Sequence, residues 1–359
     1  MKDLKKIFYK KKIIITGHTG FKGSWLTQWL KIYGANIYGI SKDIPTNPSH
    51  FKVSKIYQGI RNYNMDVNNQ KKITDIFVKI KPDYVFHLAA QSLVKKSYKD
   101  PTITWNTNVI GTLNVLEGLR KLKNNCTAII ITSDKCYLNK EIIRGYKETD
   151  ILGGEDPYSA SKASAELLIN SYVKSYFNNK SNIRISSVRA GNVIGGGDWS
   201  EDRLIPDCIR CWSKKKTVVI RNPFSTRPWQ NVLEAIYGYV LLAAKLSKNL
   251  SLQGESFNFG PSRNNNHSVF FLVKTMKKFW INITWSIKKN NSFKESNLLM
   301  LNTEKVKKKL KWKSVLKFEE SIFMVVDWYK NFYLKKKPSQ LTINQIEEYK
   351  KILAKRQLR

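Results

Sequence analysis

Strand-like and helix-like segments alternate regularly through the first half of the sequence. Short apolar runs rich in β-branched residues are each followed by a longer stretch with helical periodicity. The strand-like runs are Lys12 to Thr16, Asn36 to Ile40, Tyr84 to Leu88, Thr127 to Thr132 and Arg184 to Val188, and the helical patterns are Gly20 to Tyr33, Gln70 to Ile80, Thr104 to Leu122 and Tyr158 to Phe177. Because strands joined through helices pair in parallel, the alternation predicts an α/β fold with a doubly wound parallel sheet and helices on both faces.

Three glycines, Gly17, Gly20 and Gly23, separate the first predicted strand from the first predicted helix. Glycine permits a tight turn here and lets a pyrophosphate rest on the N–H groups at the helix N-terminus. Asp43 follows Gly23 by 20 residues, where a carboxylate accepts hydrogen bonds from the adenosine ribose and repels a 2′-phosphate. The turn therefore predicts dinucleotide binding, and Asp43 favours NAD over NADP, although Lys42 beside it argues the other way.

Length and composition limit the class of protein. The chain has 359 residues, of which 42% are hydrophobic and 25% charged, and these ordinary values exclude a wholly disordered chain. No apolar run approaches the roughly 20 residues that span a bilayer, and no apolar leader follows the basic residues 1–12. We therefore expect a folded cytoplasmic protein with no membrane partner.

The net charge of +36 is the unusual property of the chain, because it raises nucleic acid as a partner. Lysine supplies 51 of the 63 cations and arginine only 12, and the lysine-rich stretch 305–317 carries apolar residues between its charges. This distribution is typical of the solvated faces of packed elements. We expect no nucleic-acid partner.

The four cysteines are too few and too scattered for a disulfide framework. Cys208 and Cys211 form a C-x-x-C pair, but they lie in a helical pattern, and the four histidines offer no second ligand pair at zinc spacing. The sequence therefore predicts a reducing compartment and no metal site.

The regular alternation ends near residue 195, where three glycines and several prolines follow. A helical pattern returns from Val232 to Leu246, and shorter α+β pieces come after it. We expect a Rossmann-like dinucleotide-binding domain over residues 1–190, to which 228–258 return, and a smaller α+β substrate-binding domain over 191–227 and 259–359.

Tyr158 and Lys162 place a phenol and an ammonium on one face of a predicted helix. A nearby ammonium lowers the pKa of a tyrosine because it stabilises the phenolate, which makes Tyr158 a usable proton acceptor. Ser133, Asp134 and Lys135 follow a predicted strand, at the sheet edge where sites form in such folds. Because a hydroxyl, a carboxyl and an amine are costly to bury for structure alone, they indicate a catalytic site.

Four groups of residues together resemble the extended short-chain dehydrogenase/reductase family. They are the glycine turn, the strand end His87-Leu88-Ala89-Ala90-Gln91-Ser92, the segment Thr107-Asn108-Val109-Ile110-Gly111-Thr112, and Tyr158 with Lys162. Longer segments resemble more specifically the nucleotide-sugar dehydratase branch that acts on CDP-glucose, namely residues 17–26, 132–137, 189–199 and 227–230. The resemblance runs from about residue 10 to about residue 330.

The resemblance implies an NAD cofactor and assigns residues to it. The pyrophosphate would lie on Gly17, Gly20, Phe21 and Gly23, with Asp66 at the adenine and Ala89, Ala90 and Asn108 along the cofactor groove. Ser133, Tyr158 and Lys162 would form the family's catalytic trio, the last two also at the cofactor.

The resemblance also assigns the substrate, a small nucleotide sugar. Its contacts would be Gln91, Ser92, Arg189, Asn192 and Arg227, with Asn192 and Arg227 at the diphosphate. For Arg189 a buried structural pairing is the alternative. Asn231 departs from the family pattern, which has histidine there, and this leaves the contacts to the nucleotide base open.

The implied reaction converts CDP-glucose to CDP-4-keto-6-deoxyglucose and water. Tyr158 would take the C4 hydroxyl proton, Asp134 would help the C6 hydroxyl to leave, and Lys135 would remove the C5 proton. Lys135 can do so only as a neutral amine, which burial beside Lys162 would favour. Another dehydratase or a 4-epimerase of the same family is the nearest alternative, and a non-catalytic basic binding protein is the alternative outside enzymes. The family also implies a homodimer.

Overall fold

The computed structural model describes residues 2–178, 180–220, 222–262, 265–280, 283–288 and 298–357. Its strands are β1 (Lys12–Thr16), β2 (Asn36–Ser41), β3 (Arg61–Asn64), β4 (Tyr84–His87), β5 (Cys126–Ile131), β6 (Ile183–Ala190), β7 (Val193–Ile194), β8 (Val218–Ile220), β9 (Thr226–Pro228), β10 (Gln230–Asn231), β11 (Ser256–Phe259), β12 (Asn266–Ser268) and β13 (Trp285–Ile287). Its α-helices are α1 (Lys2–Phe8), α2 (Phe21–Ile32), α3 (His50–Val53), α4 (Gln70–Ile80), α5 (Val94–Lys99), α6 (Pro101–Trp105), α7 (Gly111–Arg120), α8 (Pro157–Tyr176), α9 (Leu204–Trp212), α10 (Val232–Leu246), α11 (Val269–Lys277), α12 (Glu304–Leu310), α13 (Phe318–Tyr333) and α14 (Pro338–Gln357).

The main sheet contains seven of the described strands in the order β11-β6-β5-β4-β1-β2-β3. All neighbouring strands in it are parallel. The strand order reverses at β1, which lies between β2 and β4, and such a reversal opens a crevice outside the carboxyl ends of the strands. The predicted α/β fold with a doubly wound, Rossmann-like parallel sheet is confirmed.

The apolar strands pack helices on both faces of the sheet. In β1, Ile13 and Ile15 join the core that contains Trp25 of α2, whereas Ile14 joins the core that contains Ile73 of α4. Because successive side chains point to opposite faces, a strand covered on both sides is apolar at every position. This burial explains the uninterrupted Ile13–Ile15 run.

The pattern predicted as one helix from Thr104 to Leu122 is divided in the structure. A π-helical turn, Asn106–Ile110, separates α6 from α7. In this turn the Asn108 amide points back to the backbone of Gln91, whose N–H donates to Asn108 Oδ1 over 2.8 Å. A side-chain hydrogen bond to a residue this distant in sequence is absent from a hydrophobicity pattern, so periodicity alone predicts a continuous helix.

The chain after β6 forms small two-stranded sheets. They pair β7 with β10, β9 with β12 and β8 with β13, whereas β11 returns to the main sheet beside β6. The division into a dinucleotide-binding and a substrate-binding domain stays a prediction. Among the residues described, no helix is both long enough and apolar enough to cross a lipid bilayer.

A buried carboxylate fastens the start of α10 to the segment that leads into α13. Glu234 is fully buried and accepts hydrogen bonds from the backbone N–H groups of Val315 (2.6 Å) and Leu316 (2.8 Å) and from the Ser314 hydroxyl. Glu234→Ala leaves two buried backbone donors without a partner, so we expect a loss of about 2–4 kcal/mol in the free energy of unfolding. Urea denaturation measures it.

The matched control is Glu319→Ala, which removes an exposed carboxylate that pairs with Lys278. Exposed ion pairs contribute about 0–1 kcal/mol, so this variant should unfold almost like the wild type. Equal stability of Glu234→Ala and Glu319→Ala would show that Glu234 does not hold the two segments together.

Candidate active site

The glycine turn closes directly onto the end of β4. Gly17 has a positive φ of 72°, and a Cβ on it would lie 2.6 Å from the Ala89 nitrogen. A Cβ on Gly23 would lie only 2.1 Å from the Gly17 carbonyl oxygen. No side chain fits at either position, so the two glycines let the turn and the strand end share one edge of the sheet.

The turn leaves the N-terminus of α2 open. Gly20 caps this helix without a side-chain hydrogen bond, and the first N–H groups of a helix attract anions. The 195–197 loop packs close to this opening. A Cβ placed on Gly195 would lie 3.0 Å from Phe21 Cζ. This glycine cradle and open helix end fit the pyrophosphate of a dinucleotide.

A polar contact orders the loop at the far side of this opening. The Thr19 hydroxyl donates to the Asp43 carbonyl oxygen over 2.7 Å, and this bond holds the exposed Asp43 next to the glycine turn. Lys42 is paired with Asp66, with 3.2 Å between Nζ and Oδ2. This ion pair occupies Lys42, the cation that would favour a 2′-phosphate. The Asp43 carboxylate remains beside the glycine turn.

Ala89 and Ala90 are partly exposed after β4, and Asn108 lies buried beneath the next residue, Gln91. The side-chain amide of Gln91 donates to the Leu93 carbonyl (3.0 Å) and to Thr104 Oγ1 (2.9 Å) and accepts from the Leu93 N–H, and its contact with substrate stays a prediction. Gln91 therefore shapes this loop. Its neighbour Ser92 is exposed.

Ser133, Asp134 and Lys135 lie in a short 3-10 turn directly after β5. Ser133 Oγ donates to Asp134 Oδ1 over 2.9 Å. Asp134 is buried, and burial raises the pKa of its carboxyl, which the charge of Lys135 partly offsets. A Cβ on Gly191 would lie 2.9 Å from Asp134 Oδ2, so the backbone after β6 borders this carboxyl. A raised pKa brings the carboxyl closer to the protonated form that a proton donor needs.

Lys135 does not have the surroundings that the sequence suggested. Its side chain is partly exposed, and the ammonium that acts on Lys162 belongs to Lys22. The expected burial of Lys135 beside Lys162 is therefore wrong, since the 3-10 turn directs the chain so that Asp134, and not Lys135, enters the interior.

Tyr158 and Lys162 are both buried in the first turns of α8, which the Asp156 side chain caps by accepting from the Ser159 N–H over 2.9 Å. Burial, and after it the charge of Lys22, lower the pKa of Lys162 to about 8. Burial raises the pKa of Tyr158 to about 12, and only partial compensation comes from a hydrogen bond with Ser133 and the charge of Arg203. The expectation of a lowered tyrosine pKa is thus wrong here, because desolvation of the phenolate outweighs the nearby cations.

Arg189 forms a buried ion pair within the protein, which was the alternative to a substrate contact. Its guanidinium forms an ion pair with Glu166 (2.8 Å) and donates to the Tyr137 hydroxyl (2.8 Å) and the Glu148 carbonyl oxygen (3.1 Å). The side chain is 4% exposed. The prediction of a substrate contact is corrected, since these protein partners occupy the guanidinium inside the core.

The other predicted substrate residues remain accessible. Asn192 is exposed, and Arg227 is partly exposed on β9 with a donor bond to the Thr226 carbonyl oxygen. Asn231, the departure from the family pattern, is buried and caps α10 by accepting from the Leu233 N–H over 3.0 Å. Asn231 therefore stabilises the start of α10, a role that the comparison with the family motif did not reveal.

Sequence reasoning missed two cations at this site, Lys22 and Arg203. Arg203 pairs with Asp198 over 3.0 Å, and its charge acts on both Lys22 and Tyr158. A signal existed for Lys22: it lies in the first turn of α2, where the helix dipole disfavours a cation. A lysine placed there against the dipole indicates a function for its charge.

The parallel sheet, the glycine turn and the serine, tyrosine and lysine at its carboxyl edge define an extended short-chain dehydrogenase/reductase. The family described as GDP-mannose 4,6 dehydratase matches residues 14–325, and the chain belongs to this family of sugar-nucleotide dehydratases. The family predicted from the sequence is confirmed.

Relatives agree with this assignment. The chain is 40% identical over 331 residues to CDP-glucose 4,6-dehydratase of Salmonella typhimurium, covering 91% of this chain and 92% of that protein. Among solved structures, an epimerase from Methanothermobacter thermautotrophicus superposes with a TM-score of 0.80 at 21% identity, covering 93% of this chain and 97% of that one. The dTDP-glucose 4,6-dehydratase of Bacillus anthracis, in complex with NAD, has a TM-score of 0.73 at 21% identity and covers 92% and 99%. The two structures support the fold.

Proposed function

We propose that the chain is an NAD-dependent lyase that converts CDP-glucose to CDP-4-keto-6-deoxyglucose and water. The observation that carries the proposal is the buried carboxyl of Asp134, hydrogen-bonded to Ser133 in the same cluster as Tyr158 and Lys162. An oxidation needs only the hydroxyl, phenol and ammonium, whereas loss of water needs an additional proton donor. The 40% identity to a CDP-glucose 4,6-dehydratase over nearly the whole chain supports the choice of substrate.

The cofactor would lie along the carboxyl edge of the sheet. The cradle of Gly17, Gly20, Phe21 and Gly23 suits its pyrophosphate, and Asp43 and Asp66 border the side where the adenosine would extend. Ala89 and Ala90, which are partly exposed after β4, would line the path of the cofactor, with Asn108 behind them holding the backbone of Gln91. When bound, NAD supplies a hydride acceptor that can return the hydride later in the same cycle.

The chain's own residues move the protons. Tyr158 accepts the C4 hydroxyl proton, and Ser133 and Lys162 stabilise the phenolate that this role requires. Asp134 donates a proton to the departing C6 hydroxyl, consistent with the raised pKa of its carboxyl. Lys135, partly exposed beside Asp134, is the candidate base for the C5 proton and would act in its neutral-amine form.

The substrate would enter from the side of β7 and β9. Asn192 and Arg227 would bind the diphosphate, for which the planar guanidinium is well suited, and the exposed Ser92 would face the sugar. Because the backbone at Gly191 borders Asp134, a diphosphate held at Asn192 places the sugar close to the carboxyl.

A panel of nucleotide sugars tests this function. The purified protein is incubated with NAD and with CDP-, dTDP-, UDP- or GDP-linked glucose, and products are followed by NMR. We expect a 4-keto-6-deoxy product from CDP-glucose, with kcat/KM at least about tenfold above that for the others, a difference of about 1.4 kcal/mol in transition-state binding. A product epimerised at C4 would identify an epimerase instead, and no turnover of any sugar would reject the proposal.

The preference for NAD over NADP is a separate prediction from Asp43. Its carboxylate lies beside the glycine turn while Lys42 is paired with Asp66, so a 2′-phosphate would meet net repulsion. By calorimetric titration, NAD should bind about tenfold or more tightly than NADP. Asp43→Asn should reduce this ratio, whereas Asp83→Asn, which alters a carboxylate near the opposite end of β1, should leave it unchanged. Equal binding of both dinucleotides by the wild type would contradict the role of Asp43.

We also propose that the chain forms a homodimer and works in the cytoplasm. Exposed apolar side chains lie on helices that pack side by side: Ile103 and Trp105 on α6, Ile110 after it, and Leu167 on α8. Burial of such a shared apolar face supports self-association. All four cysteines are free thiols, which supports a reducing compartment.

A further inference from the structure

His50 is a buried histidine to which the reaction scheme gives no role. It begins α3, the single-turn helix that follows β2 in the chain, and its side chain is 2% exposed. Both ring nitrogens are hydrogen-bonded: Nδ1 lies 2.8 Å from Ser24 Oγ in α2, and Nε2 lies 2.9 Å from Thr342 Oγ1 in α14. His50 therefore joins the helix that follows the glycine turn to α14.

The hydrogen bonds of Thr342 assign the proton on the His50 ring. The Thr342 hydroxyl donates to the Pro338 carbonyl oxygen over 2.9 Å and accepts from Trp328 Nε1 over 3.2 Å. Because its one proton is used, Thr342 can only accept from His50, so Nε2 carries the ring proton. Nδ1 is then the acceptor for the Ser24 hydroxyl. Burial lowers the pKa of His50 to about 3, which agrees with a neutral ring.

Ring contacts hold the His50 side chain in one orientation. The imidazole stacks on Trp25, with 4.7 Å between the ring centroids and 22° between the planes, and Trp328 packs edge-on at 5.7 Å. Gly197 also packs against it, since a Cβ on this glycine would lie 2.6 Å from His50 Cδ2. In a close-packed interior the imidazole cannot turn away from Ser24 without displacing one of these neighbours.

Ser24 lies in the first turn of α2. Its backbone N–H donates to the Gly20 carbonyl oxygen over 2.8 Å, and its hydroxyl lies 2.9 Å from the Phe21 carbonyl oxygen. Gly20 caps α2 without a side-chain hydrogen bond. The bond between Ser24 and His50 therefore supplies the side-chain anchor that this helix start would otherwise lack.

The other end of this chain of hydrogen bonds is α14, which lies beyond residue 325, where the family match ends. Tyr349 and Leu353 of α14 are fully buried in the same hydrophobic core as Trp25. A helix packed in this way is a firm support for Thr342. The support of the glycine turn thus extends to a helix outside the family match.

We propose that His50 is a positioning residue for the cofactor: held by Thr342, it fixes Ser24 and so keeps the first N–H groups of α2 in place for the pyrophosphate. The inference rests on the proposed location of the pyrophosphate at the glycine turn. A helix start that is already ordered binds an anion without the entropic cost of ordering it. Loss of the Thr342 hydroxyl should therefore weaken NAD binding.

Calorimetric titration of NAD into three variants tests the proposal. Thr342→Val keeps the shape of the side chain but leaves His50 Nε2–H without its acceptor, so NAD should bind about tenfold more weakly. Thr342→Ser keeps the hydroxyl and should bind NAD within about twofold of the wild type. Thr275→Val is the control, because Thr275 of α11 is also buried and also donates four residues back, to the Phe271 carbonyl oxygen over 2.9 Å. Its NAD affinity should not change, and an unchanged affinity in folded Thr342→Val protein would overturn the proposal.

Hydrogen exchange in the protein without NAD tests the same inference independently of binding. Thr342→Val should raise the exchange rate of the α2 amides at residues 24–27 by about tenfold, because the first turn opens more often. The amides of α4, which packs on the other face of the sheet, should exchange as in the wild type. Thr275→Val should change neither helix. Exchange raised equally in α2 and α4 of Thr342→Val would indicate a general loss of stability and would also overturn the proposal.

The two measurements separate this inference from the cofactor site on which it rests. Absence of NAD binding by the wild type would reject the cofactor site, while exchange in α2 would still decide whether Thr342 and His50 hold the first turn. Binding of NAD without dehydratase activity would reject the proposed reaction and leave the affinity comparison valid. Ser24→Ala, which breaks the chain of hydrogen bonds at its other end, takes the place of Thr342→Val in both experiments if the valine variant does not fold.

Discussion

Tyr158→Phe should slow turnover of CDP-glucose by about 100-fold or more, because it removes the group that accepts the C4 hydroxyl proton. Phenylalanine keeps the ring that packs in the first turn of α8, so the free energy of unfolding and the affinity for substrate should stay close to wild type. Burial raises the pKa of Tyr158 to about 12, so the phenolate that accepts this proton has to be stabilised by Ser133 and Lys162 in the active complex. Steady-state kcat and calorimetric binding measure the two quantities.

Tyr172→Phe is the matched control on the same helix. Its hydroxyl donates to Glu117 Oε1 over 2.8 Å at a site away from the cluster. The change removes one hydroxyl and one hydrogen bond, as at Tyr158, and activity should remain at the wild-type level. Near-normal turnover by Tyr158→Phe would mean that another group takes the proton.

Asp134→Asn should separate oxidation from dehydration. Asparagine has the size of the carboxyl and keeps the contact with Ser133, but it has no acidic proton to transfer to the departing C6 hydroxyl. We expect loss of water to slow by about 10²–10³-fold, while oxidation at C4 continues. The absorbance of reduced nicotinamide should therefore rise on mixing with CDP-glucose and persist, whereas in the wild type it stays low.

Two further variants complete this experiment: one tests the proposed base, and the other is a control outside the site. Lys135→Met retains the aliphatic chain and removes the amine, so exchange of C5 deuterium into solvent should fall if Lys135 is the base. Asp83→Asn alters a carboxylate paired with Lys11 outside the cluster and should behave as wild type. Full product formation by Asp134→Asn would remove Asp134 from the role of acid.

The sequence predicted the sheet well because its strands are buried on both faces. Continuous apolar runs such as Ile13–Ile15 and the β5 strand can form little else between helical patterns, and the glycine turn specifies the connection. One element that it missed, β3, is short and polar: Arg61–Asn64 carries no apolar signal and is added at the sheet edge by pairing with β2.

The sequence predicted which residues lie at the candidate active site, but it did not predict their hydrogen-bond partners. Ser133 and Asp134 lie close to Tyr158 because the start of α8 packs against the turn that follows β5. Arg189 and Gln91 lie in similar motifs, yet their hydrogen bonds go to Glu166 and to Thr104, partners distant or unremarked in sequence. Local spacing also could not predict the raised pKa of Tyr158, since desolvation depends on everything packed around the phenol.

The fate of the hydrogen at C4 tests the central claim most directly. CDP-glucose deuterated at C4 is converted by the wild-type protein in ordinary water, and the product is examined by NMR and mass spectrometry. An internal sequence of oxidation, dehydration and reduction predicts that the deuterium leaves C4 and is recovered at C6 of the 4-keto product. Deuterium retained at C4 of an epimerised sugar, or a C6 methyl group without deuterium, would contradict the account.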